Sequence, residues 1–463
     1  MRLRSLPGYS ALYLDYVEGN PSVRQFLPCR PDREALFSHV KQARSDLPRD
    51  ELCGMMKIEA EALHAGGRVF ENIHKLNDPG SVAVVTTLRP HLLGGPLSTL
   101  LRCLTAVKVA AELSENGHTA IPVAWIRPPD VQSHSELPLV FLDAESTLVR
   151  LAPDESELDP LAGLLQRILN INPAGWDAET VEELRDCCRR DASRGTASTA
   201  FLARVMGEWG LVILDFREGK LRIPGSEAIA DISDSEVGSD MARRLAEAGY
   251  DAEEGVIIGE NVIQSSVLPL AARIVGSSDL PAAAVARPVL QKTGHTPPLL
   301  WPRLNATVMD ARMRKICERY NVSIEDLFAG RTEVMRKTGL KDLDEKGLAR
   351  FDELMTTMES RIREAAALAT EQQLRQEVTF SHEKISYQLG KLRERYVSAS
   401  RLRRETAQRH LDRACNTLAP ALRPQECELS ALYFVLRYSH AILRLIYDKM
   451  DIWNHDHQVI DVD

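Results

Sequence analysis

The chain has 463 residues, of which 44% are hydrophobic and 27% charged, and its formal net charge at pH 7 is -9. This length allows two or three compact units, and the ordinary apolar fraction excludes wholesale disorder. The modest negative charge excludes a nucleic-acid partner from our expectations, because binding to phosphates depends on clustered Lys and Arg side chains.

The N-terminal part of the chain leads into a buried strand. Residues 1–80 are predicted to be mainly helical, with apolar residues at mixed three and four spacing in 34–44 and 52–76. The short run 82–86 is apolar and rich in β-branched side chains, which is typical of a strand buried on both faces. We therefore expect the core of the fold to begin here.

A loop, a helix and a second strand follow without overlap. Glycine and proline interrupt regular structure at 89–96. From Leu97 apolar residues recur near helical spacing, and Gly117 lies where a helix C-cap is expected. Residues 120–125 then predict a second strand. Strand, helix and strand in this order form a parallel, right-handed crossover.

The crossover predicts where a ligand would bind. In parallel sheets, ligands bind at the carboxyl ends of the strands. We therefore expect the loops at 86–96 and 127–136 to lie side by side at the functional site.

The turn before the first core helix is a candidate anion site. Gly94 and Gly95 can expose backbone N–H groups, and the helix dipole favours negative charge at its N-terminus. Ser98 and Thr99 would add hydroxyl donors, and Arg89 could bind a carboxylate with two hydrogen bonds. The alternatives are glycines that serve only tight packing and a solvated arginine.

The middle of the chain gives weaker signals. Residues 143–198 are acidic and loop-like, with helical pieces at 154–170 and 178–190. A helix at 201–209 precedes the clearest later strand, 210–215.

Residues 225–300 are the least legible part of the sequence. We assign a helix around 240–248, beside apolar stretches at 256–263 and 267–274 and a proline-rich passage.

The character of the sequence changes after residue 302. Residues 303–419 contain no proline, which permits long helices. A short capped helix is predicted at 323–330, followed by an amphipathic helix at 346–370. A three-four alternation over 374–418 specifies a coiled-coil seam that slips, as a stutter, around Arg403. Two long helices with a short connection predict an antiparallel arm. The alternative is a plain helical bundle.

Several short motifs carry a resemblance to a known family. In chain order they are Leu14-Asp15-Tyr16 with Gly19, Val84-Val85-Thr86, Leu92 to Pro96 with Thr99, Ile121-Pro122-Val123 with Trp125, Ala286-Arg287-Pro288, Pro302-Arg303-Leu304-Asn305 and His457-Gln458-Val459. Their order and spacing resemble those of the BshC family, the cysteine-adding enzymes of bacillithiol biosynthesis. The resemblance covers nearly the whole chain.

The chain also departs from the family pattern. Family members follow the Val-Val-Thr motif with Gly-Gln-Gln, whereas this chain has Thr87, Leu88 and Arg89. They carry an acidic Glu-Asp-His-Asp run after the second strand, of which only Asp130 remains here. The segment 289–301 is a few dozen residues shorter than its family counterpart.

The resemblance implies an α/β fold with a Rossmann-like parallel-sheet core, helical insertions and a long C-terminal coiled-coil arm. The predicted segments are 1–150, the first part of the core with N-terminal helices; 151–200, a helical insertion; 201–305, the second part of the core; 306–345, a helical connector; 346–420, the coiled-coil arm; and 421–463, a helix at 428–449 and a tail that returns to the core.

The implied activity is ligation of cysteine to glucosaminyl-malate, an amino-sugar malate conjugate. Asp130 and Arg303 are the implied catalytic residues. The candidate substrate- or anion-binding residues are Thr86, Arg89, Gly94, Gly95, Ser98, Thr99, Trp125, Asn305 and His457. A nucleotide such as ATP is the candidate cofactor, and a homodimer through the coiled coil is the implied assembly. Because key motifs are altered, the second hypothesis is a non-catalytic relative that acts as a ligand-binding or coiled-coil scaffold protein.

The sequence also allows predictions about metal binding, membrane association and cellular location. Asp130, His134 and Glu136 could form a general acid–base set or a weak metal site, or could lie in an ordinary exposed loop. Eight cysteines show no CxxC pair and no zinc-site spacing, so we predict reduced thiols and no metal. No apolar run resembles a secretory signal or a membrane span, which predicts a cytoplasmic protein without a membrane partner.

Overall fold

A computed structural model of the protein describes residues 1–89, 91–127, 138–154, 156, 159–172, 174–189, 193–215, 236–250, 258–368 and 370–462. The chain forms two compact units. The first unit comprises Met1–Asp310 and Arg423–Asp463, and the second comprises Ala311–Leu422.

The first unit is built on strands. In chain order they are β1 Val82–Leu88, β2 Ala120–Ile126, β3 Leu139–Leu142, β4 Leu148–Leu151, β5 Val212–Asp215, β6 Leu270–Val275, β7 Leu299–Pro302, β8 Ala306–Asp310 and β9 Gln458–Val462. Five of them form a parallel sheet in the order β5-β2-β1-β6-β7. The chain therefore reverses its direction across the sheet between β1 and β6, and in open α/β sheets ligands bind at this switch point.

The first two strands pair as the sequence predicts. Thr86 lies opposite Ala124 and Thr87 opposite Trp125 in a parallel register. Their side chains are buried on both faces, as the continuous apolar runs require. The predicted crossover is confirmed, and the ends of β1 and β2 lie side by side.

Helices cover both faces of this sheet. Within residues 1–310 they are α1 Ala11–Glu18, α2 Arg33–Val40, α3 Arg49–Ala62, α4 Gly67–Leu76, α5 Leu97–Glu115, α6 Pro160–Ile171, α7 Ala178–Cys187, α8 Arg194–Met206, α9 Glu236–Glu247, α10 Ile258–Val267 and α11 Leu280–Lys292. The α5 helix packs with Val84 and Leu88 of β1 on one face. Side chains of α3 and α4 pack with Ala83 and Val85 on the other. The predicted Rossmann-like α/β core is confirmed.

The second unit is entirely helical within its described residues. Its helices are α12 Ala311–Tyr320, α13 Ile324–Leu327, α14 Arg331–Lys337, α15 Leu340–Leu368 and α16 Gln372–Leu418. A capping box between Ser323 and Asp326 begins α13, as predicted.

The two long helices run antiparallel. Phe351 of α15 packs on Tyr396 of α16 with ring centroids 5.2 Å apart, and Arg393 bonds Asp352 at 2.9 Å. The seam slip predicted around Arg403 leaves α16 unbroken. The turn between the helices lies near Thr370, as predicted.

The C-terminal part of the first unit corrects one prediction. A single helix over 428–449 is wrong, because the structure has three, α17 Gln425–Glu428, α18 Ala431–Tyr438 and α19 Ala441–Lys449. Ser439 has a φ of 56°, which a helix cannot continue through. Apolar spacing is kept across this break, so periodicity alone could not reveal it.

The end of the chain returns to the core. Strand β9 pairs in parallel with β8, and Ala306 lies opposite Gln458. This confirms the predicted return of the segment that begins at His457. Among the helices in the described part of the chain, none is both long and apolar enough to cross a bilayer.

Candidate functional site

A buried arginine lies at the carboxyl end of β7. Arg303 is only 6% exposed, and its backbone N–H donates to the Val275 carbonyl at the end of β6 at 2.9 Å. Its Nη1 donates to the Leu304 carbonyl at 2.8 Å, and its Nη2 donates to the Cys427 sulfur at 3.4 Å. The same Nη2 lies 3.6 Å from Oε1 of Glu426. The guanidinium is thus held from both sides.

Its acidic partner is still more deeply buried. Glu426 lies on α17 and is 0% exposed. Its Oε1 accepts a hydrogen bond from the Tyr9 hydroxyl at 3.0 Å and lies 4.0 Å from Nδ1 of His457. Its Oε2 is buried with no hydrogen-bond partner in the structure. A buried carboxylate oxygen without a donor is costly and indicates a place for a ligand's donor group.

Polar side chains from both ends of the chain complete the cluster. Asn305 accepts from the Tyr9 hydroxyl at 3.3 Å and donates to the Tyr13 oxygen at 3.3 Å. His457 shares a 2.8 Å hydrogen bond with the Thr307 hydroxyl. We call this group, with the buried arginine and glutamate, the Arg303 cluster. It brings together three predicted site residues, at 303, 305 and 457.

The surroundings decide which groups of the cluster carry charge. Burial raises the pKa of Tyr9 and of Tyr13, so both phenols stay protonated and can donate hydrogen bonds. Burial raises the pKa of the Cys427 thiol to about 11, which keeps it protonated. Burial opposes the charge of Arg303, but Cys427 and Glu426 outweigh it and raise the pKa of the guanidinium. At neutral pH the cluster therefore holds a fixed cation.

A second arginine reaches the same place. Arg102 of α5 bonds Oδ2 of Asp279 at 2.5 Å, and that oxygen also accepts the N–H of Gly276 at 2.8 Å. A Cβ placed on Gly276 would lie 2.5 Å from Nη2 of Arg102 and 3.5 Å from Nε of Arg303. Nη1 of Arg102 is buried with no hydrogen-bond partner. The two guanidinium groups thus meet at the end of β6.

Burial disfavours the charge of Asp279, but Arg102 outweighs this effect and lowers the pKa of the carboxyl. Asp279 is therefore ionised at neutral pH, and it orients Arg102 towards the cluster. Paired arginines at a strand's carboxyl end are suited to binding carboxylates.

Another polar group follows β1 and β2. Arg127 pairs with Glu260 of α10, and burial raises the pKa of that carboxyl. Gln264 on the same helix donates to the Thr87 hydroxyl at 2.9 Å. Thr86, one residue earlier, is fully buried, and its hydroxyl has no hydrogen-bond partner. The predicted role of Thr86 in binding stays a prediction.

Three predicted residues of the glycine turn line one small cavity. Arg89, Gly94 and Thr99 surround a cavity of about 20 Å³ together with His91 and Ser198. Burial lowers the pKa of His91 to about 4, so the imidazole is neutral at pH 7. The cavity has room for little more than one water molecule.

Packing explains both glycines of this turn. Gly94 has a φ of 83°, and a Cβ there would lie 2.9 Å from the Phe201 ring. Gly95 has a φ of 61°, and a Cβ there would lie 2.5 Å from Cβ of His91. The N–H of Leu97, the first of α5, donates to the Leu429 carbonyl at 2.9 Å. The Leu97 N–H, which an anion at this helix end would need, is thus already bonded within the chain. These contacts favour the alternative that both glycines serve tight packing.

The remaining predicted residues are dispersed. Trp125 is 3% exposed and packs in the apolar layer with α3 and α4. Ser98 is partly buried in the first turn of α5. Asp130, His134 and Glu136 lie outside the described residues. Among the residues that are described, no three His, Cys, Asp or Glu side chains are placed to hold a metal ion.

Sequence reasoning missed several members of the Arg303 cluster and its surroundings. They are Tyr9, Tyr13, Arg102, Asp279 and Glu426. The last lies in a segment without helical or strand periodicity, so no pattern marks it as buried. A charged residue two positions after a proline and between apolar segments was the only signal available.

Two family models match the chain. Residues 1–253 match the family described as bacillithiol biosynthesis BshC, N-terminal Rossmann-like domain. Residues 306–462 match bacillithiol biosynthesis BshC, C-terminal coiled-coil domain.

Curated relatives match over most of their length. A protein of Koribacter versatilis is 24% identical, with 99% of each chain covered. One of Solibacter usitatus is 25% identical over 84% of this chain and 86% of the relative, and one of Heliobacterium modesticaldum is 23% identical over 97% of both. Each is named "Putative cysteine ligase BshC".

The alignment lengths show that this chain lacks residues that the Koribacter versatilis relative has. The first alignment has 532 positions for a chain of 463 residues, so at least 69 positions are gaps here. The Rossmann-like sheet, the long helical pair and both family matches agree. The chain belongs to the BshC family of bacillithiol biosynthesis proteins.

Proposed function

We propose that this protein is a ligase that joins cysteine to glucosaminyl-malate, and that the Arg303 cluster is its active site. One observation carries the proposal. Glu426, which is 0% exposed, has a carboxylate oxygen without a hydrogen-bond donor, and it lies beside a buried arginine at the carboxyl edge of the sheet. Buried charges with unused hydrogen-bonding capacity are typical of binding and catalytic sites.

The two arginines suit the charge of this substrate. Malate carries carboxylates, and a guanidinium binds a carboxylate with two parallel hydrogen bonds. Nη1 of Arg102 has no hydrogen-bond partner among the residues that the structure describes. In a buried site such a pair would hold the malate end of the substrate and fix its orientation.

The acidic member suits the bond-forming step. The substrate's amine nitrogen attacks the activated carboxyl carbon of cysteine, a C–N bond forms and the activating group leaves with its electron pair. The amine must lose a proton in this step. Oε2 of Glu426 is an unoccupied acceptor that could take it as a general base. Activation of the carboxyl requires an energy source, for which a nucleotide such as ATP is our candidate.

The assay for this function uses the purified full chain with glucosaminyl-malate, cysteine and ATP, and detects bacillithiol by thiol labelling and mass spectrometry. We expect product with wild type, and a loss of at least about a hundredfold with Arg303→Ala or Glu426→Gln. Arg150→Gln is the matched control, because Arg150 is 47% exposed in its side chain and pairs at the surface.

Folding of each variant is checked by circular dichroism and thermal melting. If folded wild type gives no product with any nucleotide, the ligase proposal fails and the scaffold hypothesis takes its place. Equal turnover by wild type and folded Glu426→Gln would show that the active site lies outside this cluster.

We also propose a homodimer through the coiled coil and a cytoplasmic location. Apolar side chains that are exposed on α16 of the single chain support the dimer. They are Leu374, Phe380, Ile385, Tyr387, Leu392, Val397 and Leu402. All eight cysteines are free thiols, which supports a reducing compartment.

A further inference from the structure

A second small cavity of the first unit shares no residue with the Arg303 cluster. It has a volume of about 30 Å³ and lies between β6, β7, α2, α11 and the loop before α2. Its lining includes Cys29, His39, Arg273 and Arg287. Cys29, His39 and Arg287 are partly exposed, so the cavity opens to solvent.

We propose that Cys29 is a modification site at which its thiolate forms a mixed disulfide with a small thiol that carries carboxylates. The inference is independent of the ligase activity proposed above. It rests on a cysteine–imidazole pair and two arginines that face one cavity.

The imidazole is oriented to act on the thiol. Nδ1 of His39 lies 2.8 Å from the Ala35 carbonyl, and a carbonyl can only accept a hydrogen bond. Nδ1 therefore carries a hydrogen, and Nε2 is left as the base for Cys29, which lines the same cavity. A hydrogen bond that fixes one nitrogen in this way sets the tautomer needed to accept a thiol proton.

The side chains of His39 and Arg287 favour the thiolate, whereas burial opposes it. His39 lies on α2, Arg287 on α11 and Arg273 on β6. Tyr16 of α1 donates its hydroxyl to the Leu300 carbonyl at 2.7 Å. The hydrogen bond from His39 is the main cause that lowers the pKa of Cys29, and the Cys29 thiol in turn raises the pKa of His39.

The deeper arginine points to an anionic ligand. Arg273 is 4% exposed, and its Nη groups both donate to Asn261. Its Nε is buried with no hydrogen-bond partner, and the side chain lines the cavity. A second guanidinium, that of Arg287, stands at the same cavity. A carboxylate on the incoming thiol would supply the missing acceptor.

Cys53 shows what an ordinary thiol of this chain looks like. Like Cys29, Cys53 is partly exposed. Its thiol donates a hydrogen bond to the Ile73 carbonyl at 3.3 Å. Burial raises the pKa of Cys53, the opposite direction to Cys29. Exposure alone therefore does not account for the proposed reactivity of Cys29.

The chemistry is thiol–disulfide exchange. The Cys29 thiolate attacks one sulfur of a small disulfide, a new S–S bond forms, and the original S–S bond breaks. The leaving thiolate takes the proton held by the His39 imidazolium. The small disulfide is the oxidant, and its departing half is the reduced product.

The first test measures modification rates for each cysteine by peptide mass spectrometry between pH 5.5 and 9.5. The reagent is 3,3′-dithiodipropionate, a disulfide with two carboxylates. At pH 6.5 we expect Cys29 to react at least about tenfold faster than Cys53. His39→Gln should lower the modification rate of Cys29 about tenfold at pH 6.5 and change it by less than about twofold at pH 9.5. Identical pH profiles for Cys29 and Cys53 would overturn the proposal, as would a profile unaffected by His39→Gln.

The second test addresses the charge of the ligand. Cystamine is a cationic alkyl disulfide of similar size, so the ratio of dithiodipropionate to cystamine rates isolates the effect of charge. We expect this ratio to be at least about fivefold higher at Cys29 than at Cys53, and to fall in Arg287→Gln. Equal ratios at the two cysteines would refute the carboxylate preference. Thermal melting confirms that each variant is folded.

Discussion

At the scale of single residues, Glu426 and Glu428 show how the burial of the arginine partner changes the contribution of a carboxylate to stability. Both lie on the four-residue helix α17. Glu426 is fully buried beside Arg303, whereas Glu428 pairs with Arg150 and Arg423, whose side chains are 47% and 61% exposed. The same residue type on the same helix therefore serves two different purposes.

We predict that Glu426→Gln lowers the free energy of unfolding by about 3 kcal/mol, because it leaves the Arg303 cation buried without its countercharge. Glu428→Gln is the matched control and should cost about 0.5 kcal/mol, since its partners are solvated. Urea unfolding of both variants measures the difference. Equal losses would show that the buried pair contributes no more than a surface pair.

His91 should make stability depend on pH. Burial lowers its pKa in the folded state to about 4, below the usual value of 6.5. Between these two values the unfolded chain binds a proton that the folded chain does not, so stability is complete above pH 6.5 and falls as the pH drops towards 4.

We therefore expect wild type to lose about 2 kcal/mol from this group between pH 7 and pH 5, a loss that His91→Asn should not show. The measurement is the difference in unfolding free energy between the two proteins at each pH. A difference that stays constant across this range would contradict a buried, neutral imidazole.

At the scale of elements, the turn into α5 is constrained by its backbone. Gly95 has a φ of 61°, and a Cβ there would lie 2.5 Å from Cβ of His91. Gly117 has a φ of 87° with no atom within 4 Å of its Cβ position. Both positions have a positive φ, and they differ in the space that is available to a side chain.

We predict that Gly95→Ala lowers the free energy of unfolding by at least about 2 kcal/mol. Gly117→Ala should lower it by about 1 kcal/mol, because only the backbone conformation opposes the added methyl group there. Chemical denaturation of the two variants tests this comparison. Similar losses would mean that the turn adjusts to a side chain and that tight packing does not explain its glycine.

The sequence predicted those elements whose signal is local. Strands β1 and β2 are continuous apolar runs, and α5 has helical spacing with a glycine after it, so each was recognised from a few neighbouring residues. The strand at β5 and the long helices α15 and α16 were recognised in the same way. Strand β7 was not, because it has only four residues and directly follows a proline-rich passage.

The candidate site depends on contacts that no local pattern encodes. Tyr9, Arg303 and Glu426 come from three distant parts of the chain, and only the fold brings them together. The motif resemblance pointed to positions 303, 305 and 457, but it gave no sign of Glu426. A buried charge is defined by its surroundings, which the sequence around it does not state.

At the scale of the whole molecule, the exposed apolar side chains of α16 predict self-association. Phe380 and Leu392 are 57% and 50% exposed on the single chain. Burial of such side chains between two copies would stabilise a dimer.

We expect wild type to have twice the mass of one chain in light scattering, and Phe380→Glu with Leu392→Glu to be monomeric. Gln376→Glu adds a charge to an exposed polar position of the same helix and should leave the dimer intact. A monomeric wild type at micromolar concentration would contradict this assembly.

The α/β unit is discontinuous in sequence. Strand β9 pairs with β8, and the N–H of Leu97 is held by the carbonyl of Leu429, although the whole of Ala311–Leu422 is inserted between the two parts of the unit. A ribosome must therefore finish the entire inserted segment before β8 can pair with β9. Nascent chains stalled before residue 423 should remain open to protease within the α/β layer, while the inserted helices can already pair.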